Sequence, residues 1–321
     1  MSGGISVGLD LGGTKTDAVA LDASGQVRGH LRLSTRPGTD GVLATIRQAM
    51  SQLQESTGDD LASIGVGIPG QISADGSEVR YAVNLGLSSL DLGGRLAREF
   101  SVPVRVENDV KAAARGVAAL RGGSTETLAY LNLGTGVAAG IVVEGTLWRG
   151  AGGVAGEIGH LSIDPSGPEC RCGQRGCIEA FAGGGSLARR WGAAAPSAVR
   201  GIITAAEDGD ELAQRLRSDL AFGTAAAVRL LVLAADVPTV VLGGGVSHIG
   251  ESLVHDVRSA LRAAAESSQF LRSLELQDRV ELLGAGSPAA SLGAALVGMP
   301  EGRDEEAVVG VAAGPLREDD R

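Results

Sequence analysis

His160, Cys170, Cys172 and Cys177 fall within eighteen consecutive positions, in the pattern H-x9-C-x-C-x4-C, and the chain has no other cysteine. Three soft thiolates and an imidazole at this spacing suit a closed tetrahedral zinc site. One ion would then draw the whole stretch to a point, whatever fold surrounds it. A disulfide framework fits less well, because the count is odd and Cys170 and Cys172 are too close for an easy bridge. Metal-bound or free thiols imply a reducing compartment. Glu157 and His160 share the segment Gly156-Glu157-Ile158-Gly159-His160, so a metal clamp at 156–179 would also fix polar side chains able to face a substrate.

The rest of the core must be aliphatic. Hydrophobic residues make up 44% of the 321 positions but aromatic residues only 2%, so Ala, Val, Leu and Ile carry the packing. This length suggests two domains and allows a substantial core. The formal charge of -10 argues against nonspecific nucleic-acid binding, which needs a positive footprint. Residues 301–321 hold seven acidic and three basic side chains, and are expected to form a solvated, disordered tail. The most apolar region, from Ala225 to Gly245, is interrupted by Arg229, Asp236 and Pro238. The N-terminus has no secretion-signal pattern, so a cytoplasmic protein with no membrane partner is expected.

Strand and helix patterns alternate along the chain. Ile5–Asp10, Asp17–Leu21 and Val27–Leu33 suggest consecutive strands, the first two joined at Gly12-Gly13. A helix is expected over Asp40–Glu55, a strand over Ser63–Ile68, a weak helix over Leu92–Phe100, a strand over Val102–Val106 and a helix over Asp109–Leu120. A second cycle opens with strands Leu128–Leu133 and Val137–Val143 around Gly134-Thr135-Gly136. The stretch 150–185 is rich in loops. Helices follow over Ser186–Trp191, Ala198–Ala206 and Glu211–Ala235, then strand Thr239–Leu242, helix Glu251–Glu266, strand Val280–Leu283 and helix Ala289–Val297. The repeated strand–Gly/Thr turn–strand unit predicts two α/β lobes of similar design. Their expected extents are 1–122 and 123–288, hinged near Gly122-Gly123, with a last helix at 289–300 packing back on the N-terminal lobe.

Three glycine turns follow strands. Asp10-Leu11-Gly12-Gly13-Thr14-Lys15 offers backbone amides, a hydroxyl and a cation to a phosphate, and Asp10 offers a carboxylate to Mg²⁺. Gly134-Thr135-Gly136 repeats that chemistry, and Gly243-Gly244-Gly245 offers flat backbone to a nucleotide. No P-loop motif occurs. Gly65-Val66-Gly67-Ile68-Pro69-Gly70 matches G-x-G-x-x-G, but Pro69-Gly70 favours a turn over a helix opening, so the match is expected to be a decoy.

Glu107-Asn108-Asp109 stands where a strand gives way to a helix. Asp109 is a good helix cap, and also a carboxylate at a strand's C-terminal end, where it could take a proton from a hydroxyl attacking a phosphoryl group. Asn108 could bind neighbouring hydroxyls. Glu157 and Glu179 beside the cysteine loop suit a sugar's adjacent hydroxyls. Paired acids also raise glycoside hydrolysis, which the three nucleotide-like loops disfavour.

Taken together, Asp10 to Lys15, Glu107 to Asp109, Leu133-Gly134-Thr135-Gly136 and, above all, Gly156 to His160 with Cys170-Arg171-Cys172-Gly173 and Gly176-Cys177-Ile178-Glu179 resemble the ROK family of sugar kinases and sugar-responsive repressors. The likeness covers roughly residues 5–298. It implies the two-lobed, actin-like ATPase fold of sugar kinases, actin and Hsp70-type ATPases, with ATP and sugar meeting in a central cleft. It implies Asp109 as general base and Asn84, Asn108, Asp109, Glu157, His160 and Glu179 as sugar ligands. Asp10, Gly12, Gly13, Thr14, Lys15, Gly134, Thr135, Gly136, Gly243 and Gly244 would hold ATP and Mg²⁺. His160, Cys170, Cys172 and Cys177 would hold structural Zn²⁺, with the second nitrogen of His160 turned to the sugar. A homodimer is implied by the resemblance alone.

Two positions depart from the family pattern: Val83 stands where Pro often precedes the sugar-loop Asn, and Lys111 where Asn often follows the catalytic Asp by two. The expected activity is ATP-dependent phosphorylation of a hexose 6-hydroxyl, glucose first, with N-acetylglucosamine or N-acetylmannosamine as alternatives. A noncatalytic sugar-sensing regulator is the rival. The repressors' winged helix-turn-helix is not expected, since Ile5 is read as already starting the first strand, and the retained Asp10, Lys15 and Asp109 favour catalysis.

Overall fold

The computed structural model describes residues 4–122, 125–193 and 198–300; the acidic tail and Gly123 of the expected hinge lie outside them. The chain opens with β1 (Ile5–Leu11), β2 (Lys15–Leu21), β3 (Val27–Ser34), α1 (Thr39–Thr57) and β4 (Leu61–Ile68). Three short strands, β5 (Gln71–Ile72), β6 (Val79–Ala82) and β7 (Leu87–Leu90), precede α2 (Leu92–Phe100), β8 (Val104–Asn108) and α3 (Asp109–Leu120). The second half runs β9 (Leu128–Leu133), β10 (Val137–Val143), β11 (Thr146–Leu147), α4 (Ile178–Ala182), α5 (Gly184–Trp191), α6 (Ala198–Glu207) and α7 (Glu211–Ala235). It closes with β12 (Val240–Gly243), α8 (Glu251–Ala265), α9 (Gln269–Ser273), β13 (Val280–Leu282) and α10 (Ala289–Gly298).

Contacts divide the chain into two units. The first runs to Glu126, takes in Val142–Val154 and resumes at Pro288; the second comprises Thr127–Ile141 and Ala155–Ser287. Val142–Val154, inside the expected second lobe, thus groups with the first unit. One five-stranded sheet has the order β3-β2-β1-β4-β8 and another β11-β10-β9-β12-β13. Numbered within each sheet, both orders read third, second, first, fourth, fifth. In the first sheet β1 lies antiparallel to β2 and parallel to β4, which is parallel to β8. In the second, β12 lies parallel to both β9 and β13. The Gly/Thr turns therefore occupy equivalent places, each joining the central strand to its hairpin partner.

The two-residue alternation of a strand explains how the first sheet is covered on both faces. In β1, Ile5, Val7, Leu9 and Leu11 enter a core shared with Val42, Ile46, Ala49 and Leu53 of α1. Gly8, between them, faces α10: a methyl there would stand 2.0 Å from the Ser291 carbonyl oxygen. In β4, Ile64, Val66 and Ile68 join the same core. A methyl on Gly65 would lie 1.7 Å from the Ala294 carbonyl oxygen. The G-x-G-x-x-G match is therefore a set of packing contacts: Gly65 lets α10 lie on the sheet, Gly67 faces Ala112 of α3, and Gly70 packs on the backbone of β6.

Gly116 of α3 and Gly293 of α10 make the same close approach, 1.8 Å from carbonyls of the opposite helix if given a methyl. The second unit has its own aliphatic core, from Leu131 and Val137 through Leu220 and Val228 to Leu242 and Val257. The long helix α7 is the one described helix long and apolar enough to cross a membrane by length and composition. It buries Leu216, Leu220, Val228 and Leu231 in that core.

The sequence expectation missed four pieces: the three-stranded sheet β5-β6-β7, the short helices α4 and α9, and β11. Backbone contact leaves no slack at the α10 interface. Gly65→Val is expected to reduce stability by about 3 kcal/mol, the upper end for overpacking. Ile64→Val on the opposite face should cost only about 1 kcal/mol. Urea unfolding of both variants checks the contrast; a similar small loss in both would contradict it.

Candidate active site and cysteine knuckle

In the first unit, the β1–β2 turn is closed by the Gly12 amide donating to the Lys15 carbonyl at 3.0 Å. Thr14 and Lys15 are exposed. Gly13 has no room for a side chain, since a methyl would meet the Asn84 carbonyl oxygen at 3.2 Å and its Cβ at 3.3 Å. The expected phosphate turn and the expected sugar ligand Asn84 are thus packed side by side.

Asp109 opens α3, but it does not cap it. The cap is Asn108, whose Oδ1 accepts from the amides of Val110 and Lys111 at 3.1 and 3.2 Å. Asn108 thus takes the capping role for which Asp109 is also chemically suited. An extended backbone at Asn108 (φ -61°, ψ 138°) suits a cap. Asp109 is left as first residue of the helix, its Oδ1 accepting from the Val110 amide at 2.9 Å. Asn108 Nδ2 reaches the Gly70 carbonyl at 3.3 Å. The neighbouring Glu107 is buried; its Oε1 accepts from the Asn108 amide and its Oε2 from Arg149 Nε at 2.6 Å. Lys111, also buried, donates from Nζ to the Gly153 carbonyl. Glu107 and Lys111 thereby hold both ends of the 149–153 segment.

Asp10, partly buried at the end of β1, has its pKa raised to about 7, first by burial and then by the negative charge of Asp109. Two carboxylates whose charges oppose each other form a donor set suited to a hard divalent cation, which would relieve that repulsion.

In the second unit, Glu179 Oε2 accepts from the Val137 amide at 3.1 Å and would lie 2.5 Å from a methyl on Gly136. The Gly184 and Gly185 amides opening α5 donate to the carbonyls of Gly134 and Thr135, both at 2.9 Å. Glu179 and the Gly134–Gly136 turn are therefore one hydrogen-bonded assembly. Gly243 is buried with the Tyr130 ring against it, and Gly244 takes φ 83° beside Leu133. From Gly245 onward the chain lines a cavity of ≈ 850 Å³, with Val246, His248 and Ile249 on one side and Val199, Arg200 and Thr204 of α6 on the other. Sequence reasoning missed these cavity residues, since no short motif marks them; an apolar helix face opposite a glycine turn was the only available signal.

The ligand atoms of His160, Cys170, Cys172 and Cys177 lie within 4.8 Å of one another. Cys172 Sγ and Cys177 Sγ are 3.7 Å apart, close to the ~3.8 Å edge of a tetrahedron with ~2.3 Å Zn–S bonds. His160 turns Nδ1 to Cys170 Sγ at 4.0 Å, which leaves Nε2 for another partner on an exposed residue. Burial raises the Cys170 pKa and pushes Cys177 to about 12, whereas hydrogen bonds from the Gln174 backbone and side chain lower Cys172 to about 6. Three crowded, free sulfurs with opposed acidities fit a thiophilic cation that displaces their protons.

The loop is closed by Ile163 donating to Gly176 and Gly176 to Pro168, both at 2.8 Å. A side chain at Gly176 (φ 68°) would strike the Asp164 carbonyl. Helix α4 starts directly after Cys177 and carries Glu179 in its first turn; Glu157 precedes the short 3₁₀ turn Ile158–His160. One knuckle therefore orients His160, Glu179 and the turn that follows Glu157.

A profile described as "ROK family" matches residues 6–298. This chain belongs to the ROK family. The glucokinase of Halalkalibacterium halodurans is 30% identical over 308 residues, covering 87% of this chain and 93% of that protein. An N-acetylmannosamine kinase of Escherichia coli is 35% identical over 302 residues, covering 92% and 99%. Among solved structures, a ROK family glucokinase from Streptomyces griseus in complex with glucose and AMPPNP superposes with TM-score 0.72 at 30% identity, over 92% of this chain and 99% of that one. The ROK chain is a sugar kinase of actin-like ATPase fold, a phosphotransferase with an alcohol acceptor.

The raised pKa of Asp10 has a thermodynamic consequence. With its folded pKa near 7 against 3.8, the folded state binds more protons between those values, so stability falls as pH rises through this window and levels off above 7. Asp10→Asn removes that loss, which is worth up to about 4 kcal/mol. In metal-free thermal melts, the variant's advantage over wild type is expected to grow from pH 4 to 7 and stay constant to pH 9. Parallel curves would contradict the assignment.

Proposed function

We propose that this ROK kinase transfers the γ-phosphoryl group of ATP to the 6-hydroxyl of a hexose, with glucose as the first acceptor. The observation that carries the reading is the place of Asp109, first residue of α3 directly after β8, with Asn108 before it as the helix cap. A carboxylate there can accept the proton of the attacking hydroxyl as the oxygen bonds to phosphorus. Asn108 and Asn84 would orient the sugar, with Glu157, His160 and Glu179 as further hydroxyl ligands. Thr14, Lys15 and the Gly12-Gly13 backbone would hold donor phosphates from the first unit and Gly134-Thr135-Gly136 from the second. Asp10 would orient Mg²⁺, which supplies charge neutralisation when bound. The cavity beside Gly245 is large enough for a nucleoside, and follows the Gly243-Gly244 turn assigned to nucleotide. His160, Cys170, Cys172 and Cys177 would hold a structural Zn²⁺.

The relatives favour two acceptors, since glucokinases and an N-acetylmannosamine kinase match at similar identity. N-acetylmannosamine is therefore the second reading. ADP release measured over a panel of hexoses and N-acetylhexosamines separates the two. On the best acceptor, Asp109→Asn is expected to lower kcat by ~10²–10⁴-fold with sugar affinity within threefold of wild type. A folded variant with near-normal kcat would remove Asp109 as base.

A further inference from the structure

Strand β6 and the 3₁₀ turn Val83–Leu85 after it carry two exposed side chains that the core does not use. Tyr81 is 67% exposed and Val83 81% exposed, on either side of buried Ala82. Tyr81 also has a left-handed backbone, φ 57°, which is costly for a bulky residue. That backbone breaks the in-out alternation of β6, so Arg80 and Tyr81 both face solvent. Glycine would adopt this conformation without penalty, and the exposed ring gains little burial in return. Strain of this kind, kept at an exposed aromatic residue, clusters at ligand-binding positions.

Gly70 packs on the Tyr81 peptide: a methyl there would stand 2.6 Å from the Arg80 carbonyl oxygen and 3.3 Å from the Ala82 nitrogen. The same Gly70 carbonyl accepts from Asn108 Nδ2, one residue before Asp109. On the other side, Val83 adjoins Asn84, whose backbone lies against Gly13 of the phosphate turn. The Tyr81–Asn84 segment is therefore braced between the proposed base and the proposed donor turn, both in the first unit. Asn84 and Asn108 supply polar contacts there, and a pyranose also presents faces made of C–H groups, which pack on aromatic and aliphatic side chains.

We propose that Tyr81 and Val83 form an apolar lip of the acceptor site, lying against the C–H face of the sugar whose hydroxyls Asn84 takes. The inference rests on the sugar-kinase reading of Asn84, Asn108 and Asp109. The lip acts on acceptor binding and leaves the chemical step alone, because neither side chain holds or moves a proton.

Tyr81→Gly separates this role from a structural one, since it relieves the backbone while deleting the ring. The variant is expected to melt about 2–4 °C higher than wild type and to raise the sugar KM about tenfold. Its kcat and ATP KM should change less than twofold. Val83→Ser should raise the sugar KM several-fold, and Tyr81→Phe should behave as wild type. Calorimetric titration of glucose and N-acetylmannosamine into the nucleotide-free proteins should show the same order of affinities. Sugar affinity unchanged in both Tyr81→Gly and Val83→Ser would overturn the lip. Absence of ADP release from wild type with every sugar would instead overturn the kinase reading, and the titrations would still decide the lip.

Discussion

The convergence of His160, Cys170, Cys172 and Cys177 within 4.8 Å is the constraint on which the chemistry proposed for the second unit depends. Hydrogen bonds close the loop of residues 160–177, but little apolar burial supports it. The stretch has two isolated backbone bridges and a short 3₁₀ turn; Cys170 and Cys177 cluster with Ala180, and Ile163 packs against the second unit's core. A loop so poor in apolar burial cannot offset its conformational entropy by packing alone. A cation bound by three sulfurs and a nitrogen would supply the missing free energy locally. Its reach extends beyond the loop, because α4 begins at the last cysteine and carries Glu179 to the Gly134–Gly136 turn.

The first unit solves the corresponding problem with backbone contact. Gly8, Gly65, Gly116 and Gly293 bring α10, β1, β4 and α3 together at distances that exclude any side chain. This tight layer sits behind the strand ends from which Asp10 and Asp109 project. Rigid elements hold reacting groups in geometry better than loops do. The loops on this side are fixed individually: Glu107 grips Arg149, Lys111 grips Gly153, and Asn108 grips Gly70. Lys111, where the family often has Asn, is thus accounted for as a clasp on the 149–153 segment.

Much of this was legible in the sequence, and the exceptions have physical reasons. Strands such as Leu128–Leu133 and helices such as Glu211–Ala235 were read at their observed limits, because their apolar periodicity is long and uninterrupted. The cysteine cluster was legible because soft ligands at short spacing have few other uses. The sheet β5-β6-β7 was not, since its strands are two to four residues long, too short for any periodicity to register. Asn108 rather than Asp109 caps α3 because both residues cap well and only the backbone angles decide. The clasp formed by Glu107 and Lys111 joins residues 42 apart, which no local pattern reveals. The lip at Tyr81 depends on a positive φ that the sequence does not announce.

Glucose titration with and without the metal tests whether sugar recognition depends on the cysteine knuckle. Zinc would be counted in the purified protein, removed with a chelator, and glucose binding compared by calorimetry in protein whose circular dichroism is retained. One zinc per chain is expected, with a glucose affinity at least ~10-fold weaker after removal and restored by added Zn²⁺. Unchanged glucose affinity in folded, metal-free protein would contradict it.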